Sequence, residues 1–360
     1  MEYCYIDTAL LAIPNYAVDT ATAEELIDRV THFANLASAN VPVTLVIASN
    51  AEEILWSGNC SPEYSQIQAF IDLMGLGHVF AAADLVRQYQ AIFSRSARAD
   101  SVEPVEVHEI SGFESVPPLP IGLALQSETE RIFAAVAARQ LLEDAWNVGS
   151  AIQGVYGRSY FTTVQIEMVS GSRAAELGNL PVTIATGVKT FSHLRELVSE
   201  ESAYRLWMNA KTPEDLHFAF TIGALALLKE AGKISKVSQL RRFAIGPEFM
   251  KSLQATQCFG AGHFASAARS LCVQIVANVC AKRFGEMGRP QTIRKFDSAA
   301  GWRVHLTKGG EGFRLMFWQS NKEIEFANVG VKHELKIAHG FLNGAITADV
   351  SECLEMSGLA

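Results

Sequence analysis

The chain has 360 residues, of which 49% are hydrophobic and 19% charged. This balance is ordinary for a globular protein and excludes a wholly disordered or collagen-like chain, while the length predicts two or three domains. No apolar run reaches the roughly 18 residues that a membrane-spanning helix needs, and no basic leader precedes the first apolar segment. The six cysteines lack the spacing of zinc sites and disulfide frameworks. We therefore expect a cytoplasmic protein with reduced thiols, no membrane partner and no bound metal.

Charge divides the chain into two parts. The formal net charge of −8 combines −15 over residues 1–230, +10 over residues 231–340 and −3 over the last 20 residues. Clustered lysines and arginines are the main attraction between proteins and nucleic-acid phosphates. The same asymmetry would also arise if the basic part docked on the acidic part or were simply solvated. The change of sign predicts a domain boundary near residue 232.

The first 232 residues alternate between strand-like and helix-like patterns. Alternation or β-branched runs indicate strands, and apolar residues at helical spacing indicate helices. Interleaved strands and helices predict a Rossmann-like or another three-layer α/β domain over residues 1–232, acting as a sensor or regulator. The predicted strands are 4–13, 43–48, 105–110, 161–169 and 181–186, and the predicted helices are 22–39, 62–76, 79–94, 128–147 and those between 193 and 230.

The basic part has a more compact pattern. Its elements follow the order strand, helix, helix and then three alternating strands joined by short turns, which predicts a separate α+β domain over residues 240–340. Residues 341–360 then form an acidic tail. The predicted strands are 242–245, 302–306, 313–318 and 324–331, and the predicted helices are 248–255 and 264–284.

Four segments of this part resemble, in order and spacing, the RelE/ParE toxin superfamily. They read RRFAIGPEFMKSL, IRKFDSAAGWRVHL, GFRLMFW and IEFANVGVKHELKI. Active members of this family are endonucleases that cut messenger RNA (mRNA) on the ribosome. The resemblance covers residues 241–340 and implies a small RelE-like domain, with an antiparallel sheet packed on two helices and mRNA on the ribosome as its partner.

The resemblance also implies the site residues. Cutting RNA through its own 2′-hydroxyl needs a proton acceptor, cations around the phosphate and a proton donor for the leaving oxygen, but no metal. Arg314 suits a bidentate phosphate contact, and His305 suits proton transfer because imidazole titrates near neutral pH. Arg303 and His305 alternate on one strand and therefore share a face. The expected catalytic residues are Arg303, His305, Arg314, Lys332 and His333, and the expected RNA-binding residues are Arg294, Lys295, Lys308 and His339.

Two positions depart from the family pattern. Arg303 and His305 stand where a pair of lysines is usual, and Ile337 and His339 stand where many active members have a tyrosine. Because arginine is a poor proton acceptor, these departures leave an alternative open. The domain would then be a catalytically inactive relative used for protein binding, closer to the ParE branch, whose members act on gyrase.

Three interpretations of the N-terminal domain remain open. The domain order resembles the CARF–RelE ribonucleases of type III CRISPR systems, which implies antiviral defence and a cyclic oligoadenylate activator, although no glycine-rich phosphate loop is present. The segment YIDTALL resembles the first strand of PIN-type nucleases, in which Asp7, Asp84 and either Glu24 or Asp28 would hold Mg²⁺; an aspartate capping a turn is the simpler interpretation. The third interpretation is an acidic inhibitory domain that also forms a homodimer. The sequence as a whole predicts an mRNA nuclease that arrests translation during stress or phage infection.

Overall fold

A computed structural model of the chain describes most of residues 2–340. Its residues group into two compact units, an N-terminal unit up to residue 196 and a C-terminal unit from residue 199. The division lies near residue 197 rather than near residue 232, because the two helices before residue 231 pack with the basic part. The described residues are 2–13, 19–38, 43–102, 105–119, 125–143, 149–151, 159–191, 193, 196, 199–233, 236–308, 311–321, 323–334 and 336–340.

The N-terminal unit contains a seven-stranded sheet, which confirms the mixed α/β class. Its strand order is β3-β2-β1-β5-β7-β6-β4. The strands from β3 to β7 in this order run parallel, and β6 and β4 are added antiparallel. The strands are β1 (Glu2–Ile6), β2 (Val43–Ile47), β3 (Ala97–Arg98), β4 (Glu106–Val116), β5 (Gly149–Ala151), β6 (Ser159–Ser170) and β7 (Val182–Thr190).

Helices connect these strands. The strand predicted over residues 4–13 is wrong beyond Ile6, because Asp7 caps a short 3-10 helix over Thr8–Leu11 and its Oδ1 accepts a hydrogen bond from Ala9 N at 3.1 Å. The helices are α1 (Thr20–Ser38), α2 (Ala51–Ser57), α3 (Tyr64–Leu73), α4 (Ala82–Arg95), α5 (Ala99–Val102) and α6 (Gln126–Glu143).

The C-terminal unit contains a five-stranded sheet of order β8-β12-β11-β10-β9. The three predicted strands β10 to β12 are antiparallel to their neighbours; the sequence did not predict the short β9, which is antiparallel to β10, and β8 runs parallel to β12. A parallel pair needs a long connection, and the helices and strands between β8 and β12 supply it. The strands are β8 (Phe243–Ile245), β9 (Gly285–Glu286), β10 (Ala300–Lys308), β11 (Glu311–Gln319) and β12 (Ile324–Val331).

Four helices accompany this sheet, where the sequence predicted two packed against it. α9 packs on β12, α10 packs on β10, and α8 packs on both α10 and β8. The predicted helix 264–284 ends at Val276, and Asn278 follows with a left-handed φ of 56°. Among the described helices, none combines the length and the apolar content needed to cross a membrane. The helices are α7 (Glu200–Asn209), α8 (Pro213–Glu230), α9 (Phe249–Ala255) and α10 (Ala265–Val276).

A buried histidine joins α8 to the sheet. The ring of His217 stacks on Phe243 with 4.1 Å between centroids, and its Nε2 donates to the Phe243 carbonyl at 3.1 Å. Burial lowers the pKa of His217 from 6.5 to about 4. Between these values the unfolded chain binds a proton that the folded chain excludes, so stability rises with pH across this window and falls on acidification.

We expect this histidine to make folding sensitive to mild acid. Lowering the pH from 6.5 to 4 should remove up to about 3 kcal/mol of stability through His217. Urea unfolding of the wild type and of His217→Gln at several pH values isolates this contribution, because carboxylates titrate in both proteins. The same pH dependence in both proteins would show that the imidazole has no such effect.

Candidate functional site

Three of the predicted catalytic residues lie on one face of the C-terminal sheet. Arg303 and His305 alternate on β10, and His305 is paired directly with Arg314 on β11. Directly paired residues share a face, with Cβ atoms about 4.5–5.5 Å apart. The opposite face carries Val304 and Leu315, which are buried on the side of the helices. The amphipathic pattern of these strands therefore brings two guanidinium groups and an imidazole to the face opposite Val304 and Leu315.

The two arginines carry positive charge that no described neighbour neutralises. Burial, followed by the like charge of Arg303, lowers the pKa of Arg314. Arg314 Nε is also buried without a hydrogen-bond partner. Within the described residues, no carboxylate forms an ion pair with either guanidinium. A bound anion would relieve the repulsion and satisfy the buried donor, so this face has the electrostatics of an anion site.

His305, Lys332 and His333 are exposed to solvent. Lys332 and His333 lie in the turn that follows β12, two and three residues after Gly330, which is paired with Arg314. Both residues therefore directly follow β12, the strand that pairs with β11 at Arg314. The backbone of Lys308 belongs to β10, but its side chain lies outside the described residues.

Arg294 is buried in an internal ion-pair network. Its side chain is 5% exposed and forms ion pairs of 2.5 Å with both Glu325 and Asp297. The Arg294 guanidinium holds the pKa of the Asp297 carboxyl below its usual value. Glu325 is paired with Trp318, four residues along β11 from Arg314, which corresponds to about 13 Å. The structure therefore places Arg294 in an internal ion-pair network at the Trp318 end of the sheet, apart from the Arg314 pair.

Two other predicted RNA contacts lie around this network. Lys295 and His339 are exposed, and the His339 carbonyl accepts a hydrogen bond from Arg294 Nη1 at 3.3 Å. The His339 ring meets Phe296 edge-on with 6.1 Å between centroids. Their proximity to Arg294 places them at the Trp318 end of the sheet, away from Arg314.

The segment after β12 folds back over the same face of the sheet. Trp318 Nε1 donates to the Ala338 carbonyl at 2.8 Å, and Ala338 N donates to Asn328 Oδ1 at 2.8 Å. Ile337 packs beside Trp318 in a small apolar cluster. The residue at the family's tyrosine position therefore contributes to the attachment of this segment.

One carboxylate at this site was not found from the sequence. A Cβ atom at Gly330 would lie 2.7 Å from Glu334 Cγ and 2.7 Å from Met316 Cε. The Cβ and Cγ of Glu334 thus fill the space that a side chain at position 330 would take, over the residue that is paired with Arg314. Its Oε1 accepts a hydrogen bond from Lys336 N at 2.8 Å. The sequence signal was Gly330 itself, because a glycine inside a strand often marks a place where another group approaches the backbone closely.

The carboxylates proposed for a PIN-type metal site are not brought together. Asp7 is fully buried, and its Oδ2 accepts a hydrogen bond from Thr129 at 2.7 Å. Asp84 pairs with Arg87 on α4, while Asp28 contacts His193 at 2.9 Å. In the described parts of the chain, no group of three or more His, Cys, Asp or Glu residues could hold a metal. The simpler interpretation of Asp7 as a turn cap is confirmed.

The N-terminal unit has a cleft of about 200 Å³ beyond the carboxyl ends of β1 and β2. This edge of a parallel sheet is a common place for small ligands. Glu128 and Arg131 pair at 3.2 Å on α6, and Glu106 adds a second carboxylate from β4. The lining is therefore net acidic. The polar lining residues are Ser49, Asn50, Glu106, His108, Glu128 and Arg131.

Comparisons of this chain with known protein families, curated proteins and solved structures find no match. Its functional assignment therefore depends on its own residues and their geometry.

Proposed function

We propose that the C-terminal unit is a metal-independent endoribonuclease of the RelE-like type that cuts mRNA on the ribosome. The observation that carries this proposal is the His305–Arg314 pair, with Arg303 on the same face and without a described acidic partner. The order of one strand, two helices and then strands of an antiparallel sheet, which the resemblance implies, also occurs here, with the short β9 as an additional strand and β8 parallel to β12.

The chemistry follows from these side chains. The planar fork of Arg314 suits two oxygens of a phosphodiester, and Arg303 adds a second positive charge. The 2′-oxygen attacks phosphorus, the bond from phosphorus to the 5′-oxygen breaks, and His305 exchanges a proton with one of these oxygens. The products are a 2′,3′-cyclic phosphate and a 5′-hydroxyl. Lys332 and His333 would add charge beside the same strand.

The proposal assigns regulation to the N-terminal unit. Its acidic sequence suits restraint of a basic site, and its cleft suits a small signal molecule. The cleft is lined by two carboxylates, Glu106 and Glu128, and by one guanidinium, Arg131, which is already paired. This charge disfavours binding of a polyanion such as cyclic oligoadenylate. We place the protein in the cytoplasm, where it would arrest translation in response to stress or phage infection.

The test uses the purified full-length chain with ribosomes programmed with one defined mRNA. We expect a cut that leaves a 5′-hydroxyl, mapped by primer extension, and loss of that cut when the mapped nucleotide carries a 2′-O-methyl group. Association with ribosomes is measured in parallel by sedimentation. If the wild type neither cuts nor binds ribosomes, the nuclease proposal is wrong and a protein-binding role replaces it.

A further inference from the structure

Three residue positions form one row across the C-terminal sheet, on the face opposite Val304 and Leu315. His305, Arg314 and Gly330 are directly paired from β10 to β12, and the side chain of Glu334 occupies the space over Gly330. Arg314 therefore lies between the position of His305 on one side and Gly330, covered by the Cβ and Cγ of Glu334, on the other. Neighbouring positions in such a row are about 5 Å apart, which suits a single phosphodiester group.

We propose that Glu334 is the proton acceptor that activates the 2′-hydroxyl of the substrate, and that His305 is the proton donor for the leaving oxygen. This inference rests on the proposed ribonuclease function. It assigns the acceptor role to a carboxylate. Neither Arg303 nor Arg314 can take this role, because guanidinium groups stay protonated.

The geometry supports these roles because the attacking and leaving oxygens lie on opposite sides of phosphorus in an in-line displacement. A phosphate held by Arg314 would have Glu334 on one side and His305 on the other. The Glu334 carboxylate takes the proton from the 2′-hydroxyl as the 2′-oxygen bonds to phosphorus. The protonated His305 gives its proton to the 5′-oxygen as the bond from phosphorus to that oxygen breaks. One proton enters the protein and one leaves it, so the step balances.

Among the described residues, the contacts of the Glu334 carboxylate involve only one of its two oxygens. One oxygen accepts from Lys336 N, and no described residue forms an ion pair with the other. Met316 packs against the stem of the side chain. The charged and titratable residues on the same face of the paired strands and on its own segment are Arg303 and His305 on β10, Arg314 on β11, and Lys332, His333 and Lys336 after β12.

The experiment compares Glu334→Gln with His305→Gln under single-turnover conditions, using full-length protein and programmed ribosomes. Glutamine at position 334 keeps an oxygen for Lys336 N but cannot accept a proton. We expect each variant to cut the ordinary mRNA at least about a hundredfold more slowly. The second substrate has sulfur in place of the 5′-oxygen at the mapped cut. A thiolate leaves without a proton, so this substrate should restore His305→Gln and leave Glu334→Gln slow.

Two further variants separate chemistry from structure. Gly330→Ala retains every functional group but places a methyl 2.7 Å from Glu334 Cγ, so we expect it to displace the carboxylate and lower the rate. Glu286→Gln removes an exposed carboxylate from β9 of the same sheet and should behave as the wild type. Circular dichroism and thermal unfolding confirm that each protein is folded.

The outcomes distinguish this inference from the function on which it rests. If the wild type cuts and Glu334→Gln cuts equally fast, Glu334 is not the acceptor and the nuclease assignment stands. If the sulfur substrate restores Glu334→Gln instead of His305→Gln, the two roles are reversed and the inference is overturned. If the wild type does not cut at all, the proposed function itself fails.

Discussion

Replacing Arg314 by alanine should lower the rate of mRNA cleavage by about a hundred- to a thousandfold. Removing one preorganised donor from a developing negative charge has effects of this size in other enzymes. Arg314 is the central member of the row and has a buried Nε without a partner. Arg314→Lys should recover only part of the rate, because an ammonium group cannot make the bidentate contact. Single-turnover cleavage on programmed ribosomes measures both variants.

Arg289 provides the matched control for this arginine. It is exposed in the same unit and lies outside the strands that carry the row. Arg289→Ala removes the same charge from the protein and should cut at the wild-type rate. An equal loss in both variants would indicate a general electrostatic effect on RNA binding, and a wild-type rate in Arg314→Ala would refute its role at the phosphate.

The largest effect on stability should come from breaking the buried ion pair of Arg294 and Glu325. Their side chains are 5% and 4% exposed. Arg294→Met leaves a buried carboxylate without its main partner, and such changes cost about 3–5 kcal/mol. The double variant Arg294→Met with Glu325→Leu should regain much of that loss, because neither charge then stays buried alone. Urea unfolding of the wild type and of single and double variants measures these differences.

The same double variant tests the sequence-based prediction that Arg294 contacts RNA. If Arg294 is purely structural, the double variant should be folded and should cut mRNA at a rate near that of the wild type. A stable double variant that has lost ribosome binding would return Arg294 to the RNA interface. Measuring stability and cleavage on the same preparation keeps the two explanations separate.

The strands of the C-terminal unit could be predicted from the sequence because alternation is a local signal. The three strands after residue 300 have the predicted order and lie within two residues of the predicted bounds. The same alternation placed Arg303 and His305 on one face, since side chains two residues apart on a strand point in the same direction. The acidic and basic regions could also be counted directly from the chain.

Other features depended on contacts between distant residues. The helices before residue 231 group with the basic unit because of packing on α10 and β8, which composition does not reveal. Arg294 carries the same charge as Arg314, yet an acidic partner 31 residues away turns it inward. No local pattern distinguishes these two arginines before the strands are paired.

The sequence by itself determined the strands, their two faces and the residue types that meet on them, because these follow from neighbours along the chain. Only the tertiary structure decided that Gly330 is paired with Arg314 and that the chain returns to set Glu334 in the same row. Strand register and the path of the segment after β12 depend on packing and burial between residues that are far apart in the sequence. That physical selection brought the Cβ and Cγ of Glu334 over the glycine that is paired with Arg314.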